Sequence, residues 1–154
     1  MSAFVNHGTR LGALALLLAC IAVDASARAD RSYVEPRSAS DAGAPPFSGA
    51  VRVGDTLYLS GNIGIDENFE VPADAAEEAR NVLDAIRATL EAAGMTMDDL
   101  VYVQIFCSDV AHYDVFNEVY REYFTGEFPA RAFLGAGTLL FDARFEVQGI
   151  AVAR

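Results

Sequence analysis

Two charged side chains near the C-terminal end of the chain, Arg131 and Glu146, lie in strand-like runs of mainly apolar residues. A carboxylate inside a buried strand must be paired, hydrogen-bonded or functional, because burying a lone charge is costly. We predict that the two runs are adjacent strands of one sheet. On adjacent strands, Arg131 and Glu146 either form a structural salt bridge or act together on a substrate. The sequence leaves both interpretations open.

Five further residues are weaker candidates for chemistry. Ser60 and Gly61 end a predicted strand, and Asn117 lies on a predicted helix away from its apolar face. His112 precedes that helix, where capping or exposure is the ordinary role of a polar residue. Cys107 ends a strand and has the position of a buried apolar residue, although a Cys–His couple with His112 stays open.

The composition excludes several classes of enzyme. The chain has 11 Lys+Arg, and every one of them is Arg. Without lysine there is no Schiff-base catalysis, no pyridoxal phosphate anchor and no P-loop. The two histidines, His7 and His112, are too few for a multi-histidine zinc site. A formal net charge of −11 disfavours nucleic acids as partners, because their binding depends on neutralising phosphates.

Hydrophobic periodicity predicts the elements that must position these residues. The predicted strands span residues 50–53, 56–61, 100–107, 130–135 and 144–153. One predicted helix begins at Asp74, whose partner Glu77 completes a start that resembles a capping box, and ends near Gly94. Its apolar face consists of Ala79, Val82, Leu83, Ile86 and Leu90. A second helix is predicted over 113–124, with Phe116, Val119, Tyr120 and Tyr123 on one face.

The order β-β-α-β-α-β-β predicts an α+β fold in which two helices cover one face of a mixed sheet. The last strand carries apolar residues on both of its faces, since Val147 and Ala151 alternate with Ile150 and Val152. Helices are available for only one face. We therefore expect the other face to pack against a second chain.

The N-terminal residues predict processing and export. An uninterrupted apolar run, 11–23, precedes Ala25-Ser26-Ala27 and Ala27-Arg28-Ala29, so residues 1–29 are predicted to be a signal peptide. A lipobox-like sequence that ends at Cys20 is the alternative, and lipidation there would attach the protein to a membrane. Residues 30–46 are predicted to be a linker and 47–154 the folded domain. The expected location is secreted or periplasmic.

A family resemblance is carried by five stretches in a fixed order along residues 45–154. They are PFSGAVRVGDTLYLSGNIG, LEAAGMTMDDL, NEVYREYF, FPAR and FEVQGIAV. Together they resemble the reactive intermediate deaminase family, also called RidA or YjgF-like. The resemblance implies a chorismate-mutase-like homotrimer with active sites in the clefts between subunits. It also implies hydrolysis of 2-amino-acid-derived enamines and imines to 2-keto acids and ammonia, without metal or cofactor.

The same resemblance implies roles for the candidate residues. Arg131 matches the arginine that holds the substrate carboxylate, which a guanidinium can grip with two parallel hydrogen bonds. Glu146 matches the glutamate that positions the attacking water and moves protons. Ser60, Gly61 and Asn117 match residues of the family's binding pocket.

Three departures from the family pattern leave the substrate open. Phe47 replaces the usual aromatic hydroxyl, and Ala132 and Phe133 replace the Ser and Cys that often follow the arginine. Phe47 and Phe133 are therefore expected to reshape the pocket. The alternative function is a non-catalytic small-carboxylate-binding protein of the same fold. A chorismate mutase is a weaker rival, because only Arg131 is placed in the cleft, and the acidic charge and predicted export count against a ribonuclease.

Overall fold

A computed structural model describes residues 30–38, 40–66 and 68–154. The predicted signal peptide and the lipidation site at Cys20 lie outside the described residues. The strands are β1 (Arg31–Val34), β2 (Ala50–Val53), β3 (Thr56–Ile63), β4 (Leu100–Cys107), β5 (Ala130–Gly135) and β6 (Phe145–Val152). The helices are α1 (Ala75–Ala92) and α2 (Tyr113–Arg121), with short 3₁₀ turns at Met97–Asp99, Val110–His112 and Leu140–Asp142. The α+β prediction is confirmed.

The strands form one six-stranded sheet in the order β1-β2-β3-β6-β4-β5. Only β4 and β5 pair in parallel, and every other neighbouring pair is antiparallel. The last strand, β6, therefore lies in the middle of the sheet, between β3 and β4. The prediction that the strands of Arg131 and Glu146 are adjacent is wrong, because β4 separates them.

Helix α1 begins and ends where its sequence predicts. The Asp74 carboxylate accepts a hydrogen bond from the backbone N–H of Glu77 at 2.9 Å and caps the first turn. At the other end, Gly94 adopts a φ of +73°, and the N–H of Met95 bonds back to the carbonyl of Leu90. The predicted apolar face is buried in the core, against β3 and β6.

Helix α2 is shorter than predicted and ends at Arg121 rather than at residue 124. The N–H groups of Glu122 and Tyr123 bond to carbonyls three residues earlier, so the last turn tightens and the helix stops. Phe116, Val119 and Tyr120 are buried as predicted. Phe116 packs on Phe145 of β6, with the ring centroids 4.8 Å apart. This contact seats α2 on the same face of the sheet as α1.

The other face of the sheet, which we call the open face, has no helix of the described chain over it. Along β6, residues 145, 147, 149 and 151 are buried, whereas Glu146, Gln148 and Ile150 are half-buried. Large apolar side chains stand exposed on the open face, among them Tyr58, Tyr102 and Leu134. Burial of this face by a second chain stays a prediction.

The segment predicted as a linker, 30–46, contains a strand. Arg31–Val34 forms β1 and pairs antiparallel with β2, with Arg31 opposite Val53. Only four residues, flanked by Asp30 and Glu35, carry this pairing, so hydrophobic periodicity gave no signal for a strand. Within the part of the chain that the structure describes, no helix is long and apolar enough to cross a membrane.

Candidate functional site

Arg131 lies on the helix-covered face of the sheet, at the start of β5. It is in register with the buried Val103 of β4, so both side chains point toward the helices. There Arg131 borders a recess of about 210 Å³. We call it the Arg131 recess, lined by Tyr113, Asn117, Tyr120, Arg121, Phe128, Pro129 and Arg131. None of the ion pairs among residues 30–38, 40–66 and 68–154 involves Arg131.

Glu146 lies on the opposite face. It is the second residue of β6 and is in register with Phe106 of β4 and Ile63 of β3. Its side chain borders an open-face cavity of about 700 Å³. We call it the Glu146 cavity; its lining includes Phe47, Tyr58, Ser60, Gly61, Phe141, Glu146 and Gln148. The half-buried carboxylate takes part in none of the ion pairs of the described residues.

A β-bulge in β3 presents Ser60 and Gly61 to Glu146. The register between β3 and β6 shifts between Leu59 and Asn62, and bulges of this kind recur beside functional sites. A Cβ added at Gly61 would collide with Oε1 of Glu146 and would lie 3.2 Å from its carboxyl carbon. The carboxylate therefore rests directly on the Gly61 backbone. The Ser60 hydroxyl donates to the carbonyl of Ser48 at 2.7 Å, which leaves its oxygen available as an acceptor.

The seven predicted site residues thus fall into two groups on opposite faces of one chain. Arg131, Asn117 and Phe133 lie at the Arg131 recess, where Phe133 packs edge-on against Tyr113. The other group, at the Glu146 cavity, consists of Glu146, Ser60, Gly61 and Phe47. The structure does not form the salt bridge between Arg131 and Glu146, since the two side chains point away from each other.

The weaker candidates Cys107 and His112 have ordinary structural contacts. Cys107 is fully buried, and its Sγ donates to the carbonyl of Asp109 at 3.0 Å. Burial raises the pKa of the Cys107 thiol, so it is a poor nucleophile at neutral pH. The His112 ring packs edge-on against Phe145, with centroids 5.9 Å apart. Among the described residues, no three His, Cys, Asp or Glu side chains are grouped as metal ligands.

Sequence reasoning missed the aromatic residues around Arg131 and a buried ion pair. Tyr113 and Tyr120 lie against the Arg131 guanidinium, and Tyr120 follows Asn117 in the stretch NEVYREYF. Glu78 is fully buried and bonds to Arg144. A signal for Glu78 was present, because it lies four residues before Val82 on the apolar face of α1.

Burial also shapes the chemistry of Tyr120. Desolvation raises the pKa of Tyr120 to about 12, although the positive charge of Arg131 acts in the opposite direction. The hydroxyl is therefore neutral at physiological pH. It is buried and has no hydrogen-bond partner in the part of the chain that the structure describes.

The fold and the two groups of residues define a small α+β protein with an arginine in an aromatic recess and a carboxylate on an exposed sheet face. The family model described as Endoribonuclease L-PSP matches residues 38–153. The chain belongs to this family, whose solved members include the RidA and YjgF proteins.

Three relatives illustrate the similarity. The 2-iminobutanoate/2-iminopropanoate deaminase of Dermatophagoides farinae is 38% identical over 109 residues, which are 70% of this chain and 85% of that protein. The E. coli YjgF structure has a TM-score of 0.71 and 33% identity, covering 80% of this chain and 100% of that chain. The structure of E. coli TdcF with bound serine has a TM-score of 0.69 and 29% identity, covering 72% of this chain and 91% of that chain.

Proposed function

We propose that the protein is an enamine/imine deaminase that hydrolyses 2-imino acids to 2-keto acids and ammonia. The observation that carries the proposal is the Arg131 guanidinium, which borders a recess and has no acidic partner among the described residues. A free guanidinium in a partly apolar recess suits a small carboxylate. The deaminase name of the Dermatophagoides farinae relative and the serine bound by TdcF support this choice.

The two groups of residues have different roles in the proposed reaction. Arg131 holds the substrate carboxylate through two parallel N–H donors and so orients the C=N carbon. Glu146 accepts a proton from a water molecule as its oxygen attacks that carbon. Glu146 then gives this proton to the nitrogen, which forms a carbinolamine with one hydroxyl and one amino group on the same carbon. Glu146 next moves the hydroxyl proton to the amino group, so the C–N bond breaks as the C=O bond forms, and ammonia and the 2-keto acid are released. This route needs no lysine, which the chain lacks.

The site requires two copies of the chain in this proposal. Arg131 and Glu146 point to opposite faces of one sheet, so a single copy offers only half of a site. We propose a homotrimer in which Arg131 of one copy meets Glu146 of the next. The support is the open face, where Phe47, Tyr58 and Phe141 are exposed beside the Glu146 cavity. Apolar residues grouped in this way favour burial between copies.

A non-catalytic carboxylate-binding protein is the second candidate, and one observation favours it. The Arg131 recess is complete within one chain, whereas Glu146 is not part of it. Phe133 also occupies the side of β5 on which Arg131 lies, and it narrows the space beside the guanidinium. Binding without turnover is therefore the outcome to be distinguished from hydrolysis.

RNA cleavage, which the family description names, has little physical support in this chain. Its formal net charge of −11 opposes the binding of a polyanion. We therefore do not extend that activity to this protein.

We also propose that the protein is exported to the periplasm or secreted, with lipidation at Cys20 as the alternative. The support is the apolar run 11–23 followed by two small-x-small sites. Expression of the full sequence in a bacterial host is expected to yield a mature N-terminus near Asp30, or a lipidated Cys20. Mass spectrometry that shows an intact N-terminus on cytosolic protein would overturn the proposal.

A coupled assay tests the deaminase activity. An amino acid oxidase generates 2-imino acids in place, and semicarbazide traps the imine that remains. The protein is expected to reduce the trapped imine, and Glu146→Gln to slow hydrolysis on the order of 10²–10⁴-fold while carboxylate binding persists. The matched control is Glu118→Gln, the same change on an exposed position of α2. Saturable binding of 2-oxobutanoate without any loss of imine would establish the binding protein instead.

A further inference from the structure

Three aromatic rings surround the guanidinium of Arg131. Its central carbon, Cζ, lies 4.8 Å from the ring centroid of Tyr120, 5.8 Å from that of Tyr113 and 5.9 Å from that of Phe133. All three distances are within the range of cation–π attraction, which is about 6 Å. We call these three residues the aromatic cage. They come from two elements, since Tyr113 and Tyr120 are on α2 and Phe133 is on β5.

Arg144 has a structural role in the same chain and serves as a comparison for Arg131. Its guanidinium donates to the Glu78 carboxylate at 2.7 Å and to the carbonyls of Pro72 and Ala73. The N–H donors of Arg144 are therefore used within the protein. Arg131, in contrast, has aromatic faces against it and no carboxylate, so its position is fixed without using its donors.

We propose that the aromatic cage positions Arg131 for carboxylate recognition and, through its ring faces, keeps the guanidinium donors available to the ligand. The inference rests on the proposed function, because it names the residues that prepare the arginine for a 2-imino or 2-keto acid. An acidic residue would hold Arg131 as firmly but would compete with the substrate carboxylate. Aromatic rings attract the cation and cannot accept both of its parallel hydrogen bonds. Tyr113, Tyr120 and Phe133 are therefore positioning residues in this proposal.

Substitutions at the two tyrosines distinguish the contribution of the ring from that of the hydroxyl. The Tyr120 hydroxyl has no hydrogen-bond partner among the described residues, so Tyr120→Phe removes no bond, whereas Tyr120→Leu removes the ring. Tyr113 is 45% exposed, so Tyr113→Leu changes the cage with little effect on the core. Tyr123→Leu is the matched control, because Tyr123 forms a cation–π pair with Arg87 at 5.5 Å, away from the recess.

The experiment measures the dissociation constant of 2-oxobutanoate by calorimetry and KM and kcat for imine hydrolysis in the coupled assay. Tyr113→Leu, which removes an exposed cation–π contact, is expected to raise the Kd about threefold. Tyr120→Leu, which removes a desolvated one, is expected to raise it about thirtyfold. The Phe variant at each position should recover the affinity. KM should rise with the Kd while kcat changes little, because the carboxylate is held equally in ground and transition states.

A double-variant comparison separates positioning from general packing. In an Arg131→Ala background, Tyr120→Leu is expected to cause no further loss of binding, because the residue that it positions is absent. A further loss of equal size would overturn the proposal. The Tyr123→Leu control should keep the wild-type Kd even though it loses a hydrogen bond to Asp84.

The outcomes distinguish this proposal from the function on which it rests. Folded Tyr113→Leu and Tyr120→Leu proteins with the wild-type Kd would overturn the cage and leave the deaminase proposal intact. Phe variants as weak as the Leu variants would also overturn it, because the hydroxyl would then be the active group. Wild-type protein that neither binds 2-oxobutanoate nor removes imine would overturn the proposed function. If Tyr120→Leu does not fold, the exposed Tyr113→Leu decides the result alone.

Discussion

Replacing Glu78 by glutamine should weaken the hydrogen bonds that hold the start of β6, the strand that carries Glu146. The Glu78 side chain is fully buried, and its Oε1 accepts the backbone N–H groups of Arg144 at 2.5 Å and Phe145 at 3.0 Å. Its Oε2 accepts Nη1 of Arg144 at 2.7 Å. One carboxylate thus fixes both the start of β6 and the arginine beside it. The Glu78 side chain packs closely on the Gly64 backbone, since a Cβ at Gly64 would lie 2.6 Å from its Cγ.

The expected magnitude follows from these contacts. Glu78→Gln retains one oxygen for the two backbone N–H groups but places an amide N–H₂ against Nη1 of Arg144. The Arg144 side chain is only 26% exposed, so its charge is left without a carboxylate and keeps only the carbonyls of Pro72 and Ala73 as acceptors. Breaking a buried ion pair on one side costs about 3–5 kcal/mol. We expect the free energy of unfolding of Glu78→Gln to fall by about that amount.

The assay is urea unfolding followed by circular dichroism, with all proteins at equal concentration because the proposed assembly would contribute to stability. The control is Glu77→Gln, the same change one residue earlier, where the side chain is exposed in the first turn of α1. That control should lose only about 0.3–1 kcal/mol through the helix dipole. Equal losses for the two variants would refute the reasoning, because burial and pairing would then have no energetic effect.

Three other predictions concern the site and the assembly. Gly61→Ala should slow imine hydrolysis about 10²-fold while 2-oxobutanoate still binds, because the new Cβ displaces the Glu146 carboxylate; an unchanged rate in the coupled assay would contradict this. Folding raises the pKa of Tyr120 from 10.0 to about 12, so its contribution to stability is intact below pH 10 and is lost as the pH rises toward 12. The free energy of unfolding should therefore fall less between pH 10 and pH 12 for Tyr120→Phe than for the wild-type protein. Light scattering should give about three times the protomer mass, and a stable monomer would exclude a shared site.

Local structure was predictable because local patterns determine it. The five apolar residues of α1 recur at helical spacing, and all five are buried in the core. Gly54 adopts a φ of +59°, as the hairpin between β2 and β3 requires. Bounds for β2, β4 and β5 agree with the sequence patterns for the same reason. Even Glu78 could have been found, as a carboxylate in line with Val82 and Ile86.

The strand order and the division of the site between two faces could not be predicted from local sequence patterns. The pairing of β6 between β3 and β4 depends on contacts between residues far apart in the chain, and hydrophobic alternation is the same for any neighbour. The positions of Arg131 and Glu146 on opposite faces follow from the register, since Arg131 lies level with Val103 of β4 and Glu146 with Phe106. Their roles came from the family resemblance. The aromatic cage is a tertiary arrangement that joins α2 to β5, and spacing along either element does not reveal it.

Complementation between two inactive variants tests most directly the claim that Arg131 and Glu146 form one site across two copies. Arg131→Ala and Glu146→Gln proteins are unfolded together, refolded as mixed oligomers and measured in the coupled assay. In a random trimer, each cleft is intact when one copy supplies Arg131 and its neighbour supplies Glu146, so about a quarter of the wild-type activity should return. Mixed oligomers, identified by native mass spectrometry, that stay as inactive as either variant alone would contradict the account.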